Sequence, residues 1–236
     1  MRCKHSDSDR YFVTELGMQY LAASAGTRPG PVARHGGMAV VDPKRPDRSQ
    51  RKVHRREHMA SVNRCFARLA DDAVRAGWRF EEWRDEPASF YRFVDDDERI
   101  VQIRPDGAGI LRRGAEEHPF LLEYDRGTLG ARDYRAKFHG YRRYYDESHW
   151  LDLWKDGEPV LLFVCSDDRT AARVRRAAER HGRGIPLLIT TESWSARGRG
   201  NHEGLLGNVW RSRAPGGWRI RWPKLPARGD ASGRAA

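Results

Sequence analysis

Three carboxylates and one lysine pose the chemical question in this chain. Asp106 follows Pro105 in an RPDG string, and Glu123 and Asp125 flank Tyr124 in FLLEYDRGT. Side chains two apart on a strand share a face, so Glu123 and Asp125 point the same way. If the strand bearing Asp106 lies beside theirs, three acids meet at one end of a sheet. Converging hard oxygen donors suit Mg²⁺ or Mn²⁺, with Asp106, Glu123 and Asp125 as ligands. An ion held there would activate water and stabilise a phosphodiester transition state. The plainer alternative is a set of strand-end acids paired with Arg104 and Arg126.

Around the acids lie groups suited to phosphate. Thr128 is placed to cap the helix that follows Gly127, and the free N–H groups of that first turn favour a phosphate oxygen. Arg126 would add a bidentate contact, unless it only neutralises the acids. Arg104, beside the RPDG bend, joins this nucleic-acid set, as do Arg142 and Arg143. These last two interleave with Tyr141, Tyr144 and Tyr145, which would either stack on single-stranded bases or pack in a core.

The bulk charge points the same way. Lys and Arg number 44 against 33 acids, for a net charge of +11 and a pI near 10.0. Such a surplus favours polyanions through phosphate contacts and counterion release, without base specificity. Cys3, Cys65 and Cys165 form no CxxC pair, which argues against a zinc ribbon or a disulfide framework. With no signal peptide at its start and no apolar run longer than PVLLFVC at 159–165, the chain reads as cytoplasmic, with no membrane partner.

The elements that must hold these residues follow from periodicity. Apolar residues at helical spacing predict a helix over 54–76, closed by Gly77. Alternation predicts strands over 78–86, over 98–112 with the RPDG bend inside it, and over 118–125. Tyr134, Phe138, Tyr141 and Tyr145 lie along one face of a helix over 130–147. The apolar run at 159–167, a basic helix over 169–182 and a strand over 185–192 complete an order α-β-β-β-α-β-α-β. Three strands in a row predict an antiparallel meander, and strand–helix alternation predicts parallel pairing after it. NVWRSR (208–213) and GWRIRWP (217–223) would add edge strands. Near the start, Tyr11-Phe12-Val13 suits a strand and 14–26 a short helix. That pair reads as the trailing edge of a winged helix whose recognition half is missing, so residues 1–26 are taken as a winged-helix remnant. Residues 27–53, rich in Pro, Gly, Arg and Lys, read as a basic flexible linker, 54–225 as the α/β domain and 226–236 as a disordered tail.

PD on one strand and E-x-D on the next, in an α-β-β-β-α-β order, resembles the PD-(D/E)xK nucleases. That resemblance implies a restriction-endonuclease-like mixed sheet flanked by helices, with Asp106, Glu123 and Asp125 as catalytic residues. The superfamily's lysine position is held here by Asp125, and Lys137 on the following helix is the candidate replacement. A longer series is more specific: YFVTELG, EH-x4-N from Glu57, W-x2-E from Trp83, RPDG, FLLEYDRGT, K-x3-Y from Lys137 and VLLFV occur in that order. Together they resemble the replication-relaxation family over roughly residues 10–211. This resemblance implies a DNA-associated accessory factor in plasmid or mobile-element replication, relaxation and mobilisation, and Asp125 at the lysine position points to one without catalysis of its own. The alternatives are a metal-dependent nuclease or nickase, and a module that docks on a relaxase or replication initiator.

Overall fold

The computed structural model describes residues 2–5, 8–11, 47–155, 157–198, 202–212 and 219–223, with side chains from residue 57 onward. The chain divides into two compact units, residues 1–60 and 61–236. The first contains an antiparallel hairpin, β1 (Arg2–His5) and β2 (Ser8–Tyr11), and the start of helix α1 (Asp47–Arg75). Of the strand expected at 11–13, only Tyr11 is described. The expected helix at 14–26, the linker up to residue 46 and the tail at 226–236 lie outside the described residues. Helix α1 begins earlier than the apolar pattern indicated. Residues 47–53, read as linker, lie inside α1; Arg48, Gln50, Arg51 and Lys52 are good helix formers that add nothing to an apolar period.

The second unit is a mixed α/β fold with a mostly antiparallel central sheet flanked by helices. Its strands are β3 (Arg79–Asp85), β6 (Gly107–Arg113), β7 (Glu116–Asp125), β8 (Val160–Cys165), β9 (Leu187–Thr191), β10 (Asn208–Ser212) and β11 (Ile220–Arg221). The sheet order is β11-β10-β9-β8-β7-β6-β3. The predicted meander is present as β3–β6–β7, all antiparallel, and the predicted parallel pairs are β7–β8 and β8–β9.

The single strand expected over 98–112 is two strands in different sheets. β5 (Ile100–Ile103) pairs with β4 (Tyr91–Val94) in a separate hairpin, and only β6 joins the main sheet. Pro105 cannot donate to a ladder, so the chain changes sheets at the RPDG bend. β4 escaped the reading because its four residues are too short to display alternation. A one-turn helix, α2 (Glu86–Ser89), precedes it, capped by Asp85.

Two apolar layers sandwich the sheet, because successive strand residues face opposite ways. On one face, Val62, Phe66, Leu69 and Ala73 of α1 cover Leu122, Tyr124, Leu162, Val164 and Leu188. On the other, α3 (Ala131–Asp146) and α4 (Asp168–His181) cover Leu121, Leu161, Phe163, Cys165 and Ile189. Gly109 makes the first layer fit. A Cβ there would stand 2.5 Å from the Glu82 carbonyl oxygen and 2.8 Å from the Phe120 ring. Gly109→Ala is expected to cost about 2 kcal/mol by chemical denaturation, since the clash is with backbone. A melt unchanged from wild type would show that β3 and β6 can separate cheaply.

Candidate functional site

The C-terminal end of β7 carries the acids, and α3 supplies their partners. Glu123 and Asp125 share a face and are 3% and 4% exposed, while Tyr124 between them turns to the α1 side. Lys137 donates to Glu123 Oε2 at 2.5 Å, and Tyr141 donates to Glu123 Oε1 at 2.6 Å. One turn nearer the start of α3, Tyr134 donates to Asp125 Oδ2 at 2.6 Å, while the Gly127 N–H donates to Oδ1 at 2.7 Å. Tyr134, Lys137 and Tyr141 fall at helical spacing, so one stripe of α3 lies over two same-face residues of β7.

Asp106 sits just before β6, directly beside β7. Its N–H donates to the Leu122 carbonyl at 2.9 Å, and its Oδ2 accepts from the Tyr124 N–H at 2.8 Å. The predicted adjacency of the RPDG and EYD strings is therefore real, and Lys137 reaches the cluster.

Burial dominates the electrostatics. It pushes the Glu123 carboxyl up to about 7 against the pull of Lys137, and Asp106 adds to the rise. Burial also opposes the Lys137 ammonium, but Glu123, Asp106 and Asp125 together hold its pKa above the usual lysine value. The Tyr141 hydroxyl, buried against Glu123, stays protonated as a donor.

These contacts bear on the expected metal site. All four oxygens of Glu123 and Asp125 accept from protein donors, and Asp106 directs an oxygen at backbone. Among the described residues, no three His, Cys, Asp or Glu side chains form a group that could hold a metal ion. Each of these oxygens accepts one bond and keeps a second lone pair, so Asp106, Glu123 and Asp125 are adjacent acids already engaged within the fold.

The expected nucleic-acid residues separate. Arg104 is exposed, with its guanidinium 5.1 Å from the centre of the Phe90 ring. Arg126 is half-buried beside Asp125. Thr128 is exposed and does not cap α3. The cap is Gly130, whose N–H donates to Asp133 Oδ2 at 2.9 Å, because the loop runs two residues further than the Gly127-Thr128 turn suggested. Arg142 is exposed, 3.9 Å from Asp146. Arg143 instead ties α3 to the β4–β5 turn. It donates to Glu147 at 3.0 Å, lies 3.6 Å from Asp95 and contacts Asp97. Tyr141, Tyr144 and Tyr145 are 1%, 0% and 2% exposed, so they pack in the core rather than stack on bases.

Sequence reading missed the carboxylate roles of Tyr134 and Tyr141. Their signal was present as polar-tipped residues on the buried stripe of α3. It also missed a cleft of about 230 Å³ beside α4, lined by Asp168, Arg175, Trp194, Arg211 and Arg219. There Arg219 lies over the Trp194 ring, and Trp194 donates to Asp168 at 3.2 Å. No local motif marks that cleft, because its walls come from separate parts of the chain.

No helix among the described residues is long and apolar enough to cross a membrane. A family model described as replication-relaxation matches residues 4–153, which runs from β1 to the turn after α3 and stops before β8. No curated protein and no solved structure matches the chain.

Proposed function

The chain belongs to the replication-relaxation family, and on that premise we propose that it is a DNA-associated accessory factor in plasmid or mobile-element replication and mobilisation that does not cut DNA. One observation carries the non-catalytic part. Two of the three carboxylates that would do phosphodiester chemistry already accept on both oxygens from donors within the fold, Lys137 and Tyr141 on Glu123, and Tyr134 and Gly127 on Asp125. A general acid, base or metal ligand needs lone pairs facing its substrate. On Glu123 and Asp125, one lone pair of every oxygen is engaged by α3 or the β7–α3 loop, which favours a structural role. In this reading the α1-β3-β6-β7-α3-β8 core is a restriction-endonuclease-like scaffold whose acid cluster locks α3 to the sheet.

The DNA-associated part draws on the net charge of +11. It predicts a plasmid gel shift that needs no divalent ion and weakens steeply as salt rises. The test incubates purified protein with supercoiled plasmid in Mg²⁺, Mn²⁺ or EDTA, alongside Asp106→Ala. The expected result is a shift in all three conditions and no nicked circles. Metal-dependent nicking lost in Asp106→Ala would replace this reading with a nuclease. Absence of a salt-sensitive shift, with co-purification of a relaxase or initiator, would replace it with a docking module.

A further inference from the structure

The helical layer formed by α3 and α4 carries two stripes of arginine. On α3, Arg132, Arg135, His139 and Arg142 recur at spacings of three and four, and all are exposed. On α4, Arg169, Arg173, Arg176 and Arg180 recur at spacings of four and three, exposed except for the partly buried Arg173. Residues at such spacings line one side of a helix. Both helices pack on the same face of the sheet, in one shared core with Phe163 and Ile189. Each crosses over between parallel strands, α3 from β7 to β8 and α4 from β8 to β9, so they run side by side in the same direction. Arg173 donates to the Gly127 carbonyl at 3.0 Å, in the loop leading into α3. The α4 stripe is therefore on the flank nearest α3.

These cations are not structural pairs. No described acidic side chain forms an ion pair with Arg132, Arg135, Arg169, Arg176 or Arg180. The contrast with Arg143 is direct, since that side chain is surrounded by Asp95, Asp97 and Glu147. Uncompensated like charge along two adjacent helices is self-repelling. It favours an occupant that brings closely spaced negative charge. Neighbouring arginines on a stripe are about 5 Å apart along the helix, and packed helices lie about 8–10 Å apart. That two-dimensional array suits the phosphates of a duplex, whose charge lies along two strands.

We propose that the α3–α4 surface is where this protein docks on double-stranded DNA, through phosphate contacts from Arg132, Arg135, Arg169, Arg176 and Arg180. The inference rests on the DNA-associated reading above and gives it a location. It lies away from the acid cluster's buried carboxylates and away from the cleft on the other flank of α4. Arginine-to-phosphate contacts position a duplex without reading its bases, so binding here is indifferent to sequence.

The experiment compares three full-length proteins on a fluorescent duplex of random sequence, by anisotropy across a salt series. The first is wild type. The second replaces Arg132, Arg135, Arg169, Arg176 and Arg180 with Gln. The third makes the same change in net charge elsewhere, replacing Arg64, Arg75, Arg79, Arg99 and Arg113 with Gln. All ten side chains are exposed. Far-ultraviolet dichroism and a thermal melt check that each variant folds. The stripe variant is expected to bind ~100-fold more weakly near physiological salt, with the slope of log K against log salt smaller by about 4. The control is expected to lose less than tenfold, with its slope nearly kept. Equal losses in the two variants would overturn the surface and leave DNA binding standing as a diffuse charge effect. Wild type that fails to bind the duplex at low salt would overturn both the surface and the DNA-associated reading. A stripe variant that binds like wild type would place the contacts elsewhere.

Discussion

Lys137→Met is expected to destabilise the protein by about 3 kcal/mol at pH 9 and by only about 1 kcal/mol at pH 6. The reason lies in the protonation of Glu123. Its carboxyl is buried, and burial already lifts its pKa to about 7 with Lys137 in place. A carboxyl whose folded pKa lies above its unfolded value binds its proton more tightly in the native state. Its ionisation then erodes stability from the unfolded pKa, 4.5 for glutamate, up to the folded pKa, after which the loss is complete. Removing the ammonium raises the folded pKa further and extends that loss to higher pH. At pH 6 the carboxyl is mostly protonated in both proteins, and the ion pair matters little. At pH 9 the variant must either bury an unpaired charge or hold a proton against the solution, while wild type has the Lys137 ammonium within 2.5 Å. Urea unfolding of the two proteins between pH 5.5 and 9 gives the difference directly. A cost that does not change with pH would mean that Glu123 is ionised throughout and that the pair is an ordinary ion pair. Glu123→Gln supplies the converse. It keeps an oxygen for Tyr141 and removes the titration, so its stability should lack the decline that wild type shows between pH 4.5 and about 7.

Asp72→Ala is expected to cost about 3 kcal/mol, because one buried carboxylate holds two distant segments together. Asp72 is 3% exposed on α1. It accepts from Arg197 Nε at 2.6 Å and from the Leu205 N–H at 2.7 Å. Truncation leaves a buried N–H without an acceptor and takes a carboxylate from a guanidinium that also contacts Asp71. Asp72→Asn keeps an oxygen for Leu205 but turns its amide NH₂ towards the Arg197 donor, losing that hydrogen bond with the charge, so about 2 kcal/mol is expected. Unfolding midpoints measure the whole effect. Limited proteolysis locates it, since cleavage between residues 196 and 207 should accelerate well before global unfolding in Asp72→Ala. Cleavage at wild-type rate there, with a small shift in midpoint, would show that this segment is anchored mainly by Leu205, Leu206 and Trp210 in the core.

Much of this protein was decided locally along the chain. Val62, Phe66, Leu69 and Ala73 recur at the spacing of one helical face, and no other packing would bury them together. The continuous apolar run Val160–Cys165 could only be a strand covered on both sides, and it lies between β7 and β9 with a helical layer above and below. Period-two geometry alone put Glu123 and Asp125 on one face, and the order of motifs was enough to indicate the family. The tertiary structure decided which partners each group meets. β5 and β6 read as one bent strand because apolar residues resume on the far side of RPDG, and only sheet pairing separates them. Arg142 and Arg143 are adjacent and chemically identical. One is exposed beside Asp146 and the other is held by acids of the β4–β5 turn, far away in sequence. A sequence shows the charge of Glu123 and Asp125 but not their hydrogen bonds. Three of their four oxygens gained a donor when α3 settled on β7 and brought Tyr134, Lys137 and Tyr141 over them, a packing contact that no local spacing specifies.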